Sequence, residues 1–306
     1  MSSPAMPSPA LAPHAGPALS PVVVGCMRLP SWGLDAPALR DWMKAALDLD
    51  AATFDHADIY GDYGAEARFG EALALEPGLR DRMVLIGKCG IRLKSASRPD
   101  VRVKHYDSSA AHILASVEGS LRALRTDRLD LLLLHRPDYL LRPEEVAEAF
   151  HALKRDGKVL HFGVSNHSAS QVAFLARALD LPLVANQVEI SLERPGALFD
   201  GTLDACMAAR MVPMAWSPLG GGGLFRDDPA QARLRDALWR VGERHGGAAP
   251  DQVALAWLTA HPAGIRPVVG TGRLDRLAGA AAAARLRLDR QDWYELLEAS
   301  RGHEVA

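Results

Sequence analysis

The chain has 306 residues, of which 48% are hydrophobic and 24% charged, enough apolar content to bury a large core. Its 35 basic and 37 acidic residues leave a formal net charge of -2, which excludes a general affinity for nucleic acid or anionic membrane. Three separated cysteines (Cys26, Cys89, Cys206) with no CxxC pair argue against a disulfide framework or structural zinc and point to a reducing compartment, the cytoplasm.

The first twenty residues carry five prolines and, apart from His14, no ionisable side chain, so a disordered tail is expected over 1–20 and one domain over 21–306. That tail lacks the charged start and continuous apolar core of a secretory signal, and no later run is long enough to span a membrane. Val22-Val23-Val24-Gly25 reads as a first strand. Asp35-Ala36-Pro37 then caps a helix whose buried face is Leu39, Trp42, Met43, Ala46 and Leu47. A strand over Ala51–Phe54 runs straight into Asp55-His56-Ala57-Asp58-Ile59-Tyr60-Gly61, and a helix begins near Gly64.

Met83-Val84-Leu85-Ile86 is the third strand, with Gly87-Lys88 at its end. From Ile91 to Ser109 periodicity is lost, and five cations make a long basic connection that should overhang the site and attract anions. Further strands follow at 130–134, 158–164, 183–187, 212–216 and 267–269, each after a helical segment. Runs such as Leu131-Leu132-Leu133-Leu134 lack alternation, the mark of a parallel strand covered on both faces. Eight strands in strict alternation with helices favour a closed (β/α)8 barrel, and no GxGxxG follows the first strand. A last helix, Arg290 to Ser300, lies outside the eight units and is expected to pack across the barrel.

In such a barrel the C-terminal strand ends converge on one mouth. They deliver Asp55 with Tyr60, then Lys88, His135, Ser165-Asn166, Gln187, Ser217 and Thr271. Singly, each has a structural explanation: a surface lysine, a core histidine, a helix cap. Together they make a polar constellation in which a tyrosine beside a carboxylate and a cation suits proton transfer.

The motifs Phe-Asp-His-Ala-Asp-Ile-Tyr-Gly (54–61), Gly-Lys (87–88), Leu-Leu-Leu-His-Arg-Pro-Asp (132–138), Gly-Val-Ser-Asn (163–166) and Trp-Ser-Pro-Leu-Gly (216–220) resemble those of aldo-keto reductases. So do Asn-Gln-Val at 186–188 and Gly-Thr-Gly-Arg-Leu-Asp-Arg at 270–276, and the resemblance, to a bacterial subgroup of oxidoreductases, runs from about Val22 to the C-terminus. It implies a (β/α)8 barrel that reduces aldehydes or ketones with a nicotinamide dinucleotide bound without a Rossmann fold. The implied catalytic set is Asp55, Tyr60, Lys88 and His135. Tyr60 would be the general acid, Lys88 would lower its pKa, Asp55 would hold Lys88, and His135 would orient the substrate oxygen. The resemblance gives Asp58 no part beyond a structural hydrogen bond.

For the cofactor, the resemblance assigns Ser165, Asn166 and Gln187 to the carboxamide and Trp216 to the nicotinamide ring. Ser217, Leu219 and Gly220 would approach the pyrophosphate, and Thr271 and Arg276 the 2′-phosphate, so NADPH (NADP) is expected, with NADH a weaker alternative. Two departures stand out: Gly270 replaces a lysine found in many members, for which Arg273 is a candidate substitute, and Gly279-Ala280 replace polar residues that contact adenine. No metal is implied. The expected partner is a small carbonyl compound, with no nucleic acid or membrane, in a monomer or weak homo-oligomer. A cofactor-binding regulatory or redox-sensing subunit would carry the same motifs. A phosphate-handling barrel isomerase would leave Tyr60 and Lys88 idle.

Overall fold

The computed structural model of the chain describes residues 15–226 and 228–306. Eight strands form one closed parallel barrel: β1 (Val23–Gly25), β2 (Thr53–Asp55), β3 (Val84–Cys89), β4 (Leu129–Leu134), β5 (Val159–Ser165), β6 (Leu183–Glu189), β7 (Val212–Trp216) and β8 (Arg266–Val269). Neighbours in sequence are neighbours in the sheet, and β8 closes on β1 with Val23 opposite Val268. The registers align the strand ends: Gly25 lies beside Asp55, Asp55 beside Ile86, Ser165 beside Gln187 and Glu189 beside Trp216. This is the (β/α)8 architecture expected from the alternation of strand and helix.

The outer layer holds α1 (Ala36–Asp48), α2 (Ala65–Leu73), α3 (Ala110–Leu124), α4 (Pro143–Arg155), α5 (Ala169–Ala176), α6 (Thr202–Ala208), α7 (Ala232–Arg244), α8 (Pro250–Thr259), α9 (Leu274–Ala283) and α10 (Arg290–Arg301). Asp35 caps α1 by accepting from Ala38 N at 2.9 Å, and Pro37 sits in its first turn. Between barrel and helices lie two apolar clusters, one including the stacked Phe150–Phe162 rings at 4.1 Å and one including Leu238, Trp257 and Leu296. The barrel interior is filled by Val23, Ile86, Leu131, Leu133, Met214 and Val268, so it is a packed core and not a channel. Among the described residues no helix is long and apolar enough to cross a membrane.

Four details differ from the expectations. Most of the tail over 1–20 falls outside the described residues, but Leu19 joins the barrel interior and Ser20 N donates to Thr53 Oγ1 at 2.9 Å, so contact with the barrel begins before residue 21. The connection after β3 pairs its own ends, Ile91–Arg92 against His105–Tyr106, as an antiparallel hairpin. Helix α7 has no counterpart in the sequence reading, although Leu234, Leu238 and Val241 recur at helical spacing and are buried. Helix α10 does not cross the barrel but packs on α7 and α8. There the Trp257 and Trp293 indoles stack at 5.1 Å and each N–H donates to the other's carbonyl, at 3.1 and 3.0 Å.

The α2–α3 contact bears directly on the site, because α2 follows the Tyr60 turn. Gly70 lets the helices touch: a Cβ there would lie 2.0 Å from the Ala123 carbonyl oxygen. Beneath it Glu66 is buried, bonded to Ser120, and burial pushes its pKa up to about 8. Nearby Asp58 accepts from Ser116 Oγ at 2.7 Å, the structural hydrogen bond expected of it, and burial raises its pKa to about 6.

Replacing Gly70 by Ala should destabilise the fold by about 2–3 kcal/mol, because backbone must move to admit the methyl group; urea unfolding measures this. Glu66→Gln should do the opposite in a pH-dependent way. An acid whose folded pKa is raised stays protonated while the unfolded chain ionises, so stability falls as pH rises from about 5 to 8. The variant should therefore gain on the parent across that window, by on the order of a few kcal/mol at pH 8. Equal unfolding midpoints at pH 5 and 8 relative to the parent would contradict this.

Candidate functional site

A cleft of about 1190 Å³ opens at the C-terminal end of the barrel. Eleven of the thirteen residues singled out from sequence line it: Asp55, Tyr60, His135, Ser165, Asn166, Gln187, Trp216, Ser217, Leu219, Thr271 and Arg276. Lys88 and Gly220 stand behind the wall.

Tyr60 is placed by continuation of the β2–β3 pairing past the end of β2. His56 N donates to Ile86 O (2.8 Å), Asp58 N to Lys88 O (3.2 Å), and Tyr60 N closes a turn on Ala57 O (3.0 Å). The chain then reverses through positive φ at Gly61, Asp62 and Tyr63. A Cβ on Gly61 would come within 2.6 Å of Pro30, so glycine is required there twice over.

Behind the phenol, Lys88 is fully enclosed, its side chain 0% exposed and that of Asp55 2%. An ammonium has three N–H bonds, and here all three are used. Lys88 Nζ lies 2.7 Å from Asp55 Oδ1 and donates to His56 O and Tyr60 Oη, both at 2.9 Å. Gln187 Nε2 donates to the same Asp55 oxygen at 2.9 Å. Burial alone would lower the pKa of Lys88, but Asp55 and Tyr60 outweigh it and the net shift is upward, so the amine is charged.

Because the phenol oxygen accepts from Lys88, the phenol's own hydrogen is free to point elsewhere, toward the cleft. Burial pushes the Tyr60 pKa above its ordinary value, with Lys88 the largest opposing influence. The expected lowering by Lys88 is therefore outweighed by desolvation. Tyr60 is held neutral, the form that can give a proton.

His135 faces Tyr60 edge-on with ring centroids 5.8 Å apart. Burial, then the cations Lys88, Arg136 and Lys104, hold its pKa well below the ordinary value, so the imidazole is neutral. Its backbone N–H donates to Cys89 O at 2.8 Å, which fixes it to the end of β3.

The other wall is a hydrogen-bonded chain. Ser165 Oγ donates to Gln187 O at 2.7 Å, Asn166 Nδ2 to Ser165 Oγ at 2.7 Å, and Trp216 Nε1 to Asn166 Oδ1 at 2.9 Å. Asn166 takes a left-handed φ of 58°, which Asn tolerates better than most residues, and its N–H donates to Gln187 O at 2.9 Å. Arg136 lies 5.4 Å from the Trp216 ring centroid.

The glycine run divides in two. Gly220 and Gly223 pack on the Glu193 carboxylate, with would-be Cβ atoms 2.4 and 2.8 Å from its oxygens. Gly221 and Gly222 have positive φ, meet nothing within 4 Å on the Cβ side, and line the cleft. The exposed backbone thus lies one residue beyond the expected Gly220. Of the five cations after β3, only Lys104 lines the cleft; Arg92 pairs with Asp100 at 2.8 Å and Arg98 rests on the Tyr63 ring at 4.8 Å. Sequence reading missed Arg136, Phe225 and Trp239 as cleft residues. The signal for Arg136 was its place beside His135; that for Trp239 was the unread helix α7.

A family model described as "Aldo/keto reductase family" matches residues 21–301. The chain is 47% identical over 287 residues to the uncharacterized oxidoreductase YcsN of Bacillus subtilis, covering 94% of this chain and 96% of that one. It is 45% identical over 289 residues to a 6-dehydroglucose reductase of Agrobacterium fabrum, again covering 94% and 96%. A crystal structure of an aldo/keto reductase from Klebsiella pneumoniae in complex with NADP and acetate superposes with a TM-score of 0.72 at 28% identity, covering 94% of this chain and 93% of that chain. The match in sequence along almost the whole barrel, with the same fold beneath it, settles the question of kinship: this chain belongs to the aldo/keto reductase family.

Proposed function

We propose that the protein is an NADPH-dependent oxidoreductase that reduces aldehydes or ketones to alcohols. The observation that carries this reading is the buried Asp55–Lys88–Tyr60 chain, which presents a neutral phenol to the cleft beside a neutral imidazole. Bound in the cleft, a nicotinamide dinucleotide would supply the hydride. As negative charge develops on the carbonyl oxygen, Tyr60 gives its proton to that oxygen. Lys88 donates to the phenolate left behind, so the charge is met by an ammonium already in place, and Asp55 with Gln187 keeps that ammonium fixed. His135 donates an N–H to the same substrate oxygen and orients it.

The cofactor reading is supported by the shape and donor set of the cleft. Gln187 keeps an amide N–H and its C=O beyond the bond to Asp55, and Asn166 Oδ1 keeps acceptor capacity beyond Trp216, which suits a carboxamide. Trp216 is pinned through its N–H and offers a ring wall. Gly221 and Gly222 let an anionic group approach backbone. At the far end Arg276 lines the cleft with no ion-pair partner among the described residues, next to Thr271 and the start of α9. The Klebsiella pneumoniae protein binds NADP, which agrees with this placement. The likeness to a 6-dehydroglucose reductase makes hydroxylated aldehydes the first class to test.

The primary experiment is NADPH oxidation against simple aldehydes, ketones, quinones and sugar-derived aldehydes. No turnover with any of them would reject the reductase reading. Tyr60→Phe should lower the rate at least about 10²- to 10⁴-fold while NADPH affinity stays within about two-fold. The pH profile of reduction should be flat through neutrality, because His135 protonates only well below its ordinary value, and should fall only in alkali as Tyr60 ionises. A sigmoidal loss centred near pH 6.5 would contradict the neutral imidazole. Arg276→Met should weaken NADPH by about ten- to a hundred-fold and leave NADH unchanged; equal losses would mean that Arg276 supports the fold instead.

A further inference from the structure

Arg273, the candidate second cation for the cofactor's phosphates, is an exposed side chain paired with Asp275. Its Nε lies 3.0 Å from Asp275 Oδ1, and it does not line the cleft. A different arginine stands at the seam where β1 meets β8. A Cβ on Gly270 would lie 3.8 Å from Arg28 Nη2 and 3.9 Å from its Nε, so the guanidinium occupies the space a long side chain at 270 would enter. Arg28 is set there by a tight turn: its carbonyl accepts from Ser31 N at 2.9 Å and Ser31 Oγ at 2.7 Å. It lines the cleft with Gly270, Thr271 and Arg276, and makes no side-chain ion pair or hydrogen bond among the described residues.

Resting on the cofactor reading above, we infer that Arg28 is the second phosphate-binding cation of this cleft, reaching from the β1 side of the seam while Arg276 reaches from α9. A free guanidinium is suited to phosphate because its planar fork gives paired, charge-assisted hydrogen bonds. Gly270 is the complement of that arrangement: without a side chain it leaves the guanidinium its place.

The test is direct binding, read by fluorescence titration of the unliganded chain with NADPH and with NADH, and it does not depend on turnover. Arg28→Met should weaken NADPH about ten- to a hundred-fold with an unchanged melting temperature, and Arg28→Lys should weaken it less. Adding Gly270→Lys to Arg28→Met should recover most of the loss, since the Cβ site at 270 meets ordinary contacts, Gly25 O at 3.4 Å being the nearest. Loss for NADPH alone assigns Arg28 to the 2′-phosphate, and loss for both dinucleotides assigns it to the pyrophosphate; either supports the inference. Wild-type NADPH affinity in Arg28→Met overturns it, as does a loss that Gly270→Lys fails to recover. A parent chain that binds neither dinucleotide would instead refute the cofactor reading.

Discussion

The site is built around an ammonium that water cannot reach. A buried charge is tolerable only where a counter-charge and hydrogen-bond acceptors surround it, and Lys88 has one acceptor for each of its three N–H bonds. Those acceptors come from one short stretch, Asp55, His56 and Tyr60, so the lysine ties the end of β3 to everything that follows β2. Gln187 extends the tie across the mouth to β6. Removing either partner of the buried pair would strand the other, which makes the arrangement all-or-none and not gradable.

From that point the polar groups pass around the rim from strand to strand. Ser165 and Asn166 bond Gln187 on the neighbouring strand, and Trp216 reaches from β7 past β6 to Asn166. Such a chain orients side chains by bonds to one another and to backbone. The far end of the cleft is different in kind. It holds exposed glycine backbone and two arginines, Arg28 and Arg276, that have no carboxylate partner among the described residues, a surface suited to anions.

Much of this was legible from residue order alone. Unbroken apolar runs such as 131–134 mark strands covered on both faces, and their polar terminators mark the mouth. Less legible were features set by partners far away in sequence. Helix α7 follows a glycine-rich stretch, which hid its period. The hairpin ends at Ile91 and Tyr106 are fifteen residues apart and declare themselves only by pairing. That Glu193 fills the space beside Gly220, or that Asp275 claims Arg273, depends on side-chain reach across loops. The net direction of the Tyr60 shift is hidden for a related reason: the neighbouring lysine, which does lower the pKa, is visible in a motif, whereas the degree of enclosure that outweighs it is not.

The closing contact between β1 and β8 has a consequence for synthesis of the chain. Val23 is paired with Val268 in the finished sheet, yet the ribosome delivers one long before the other. Until the last strand emerges, the nascent half-barrel carries two open hydrogen-bonding edges and an uncapped apolar interior. Closure of the barrel therefore waits for β8, and the indole clasp that fastens α10 to α8 draws on segments on either side of it. A chain that stops just short of β8 keeps seven strands with both edges unpaired, a surface prone to pair with other chains.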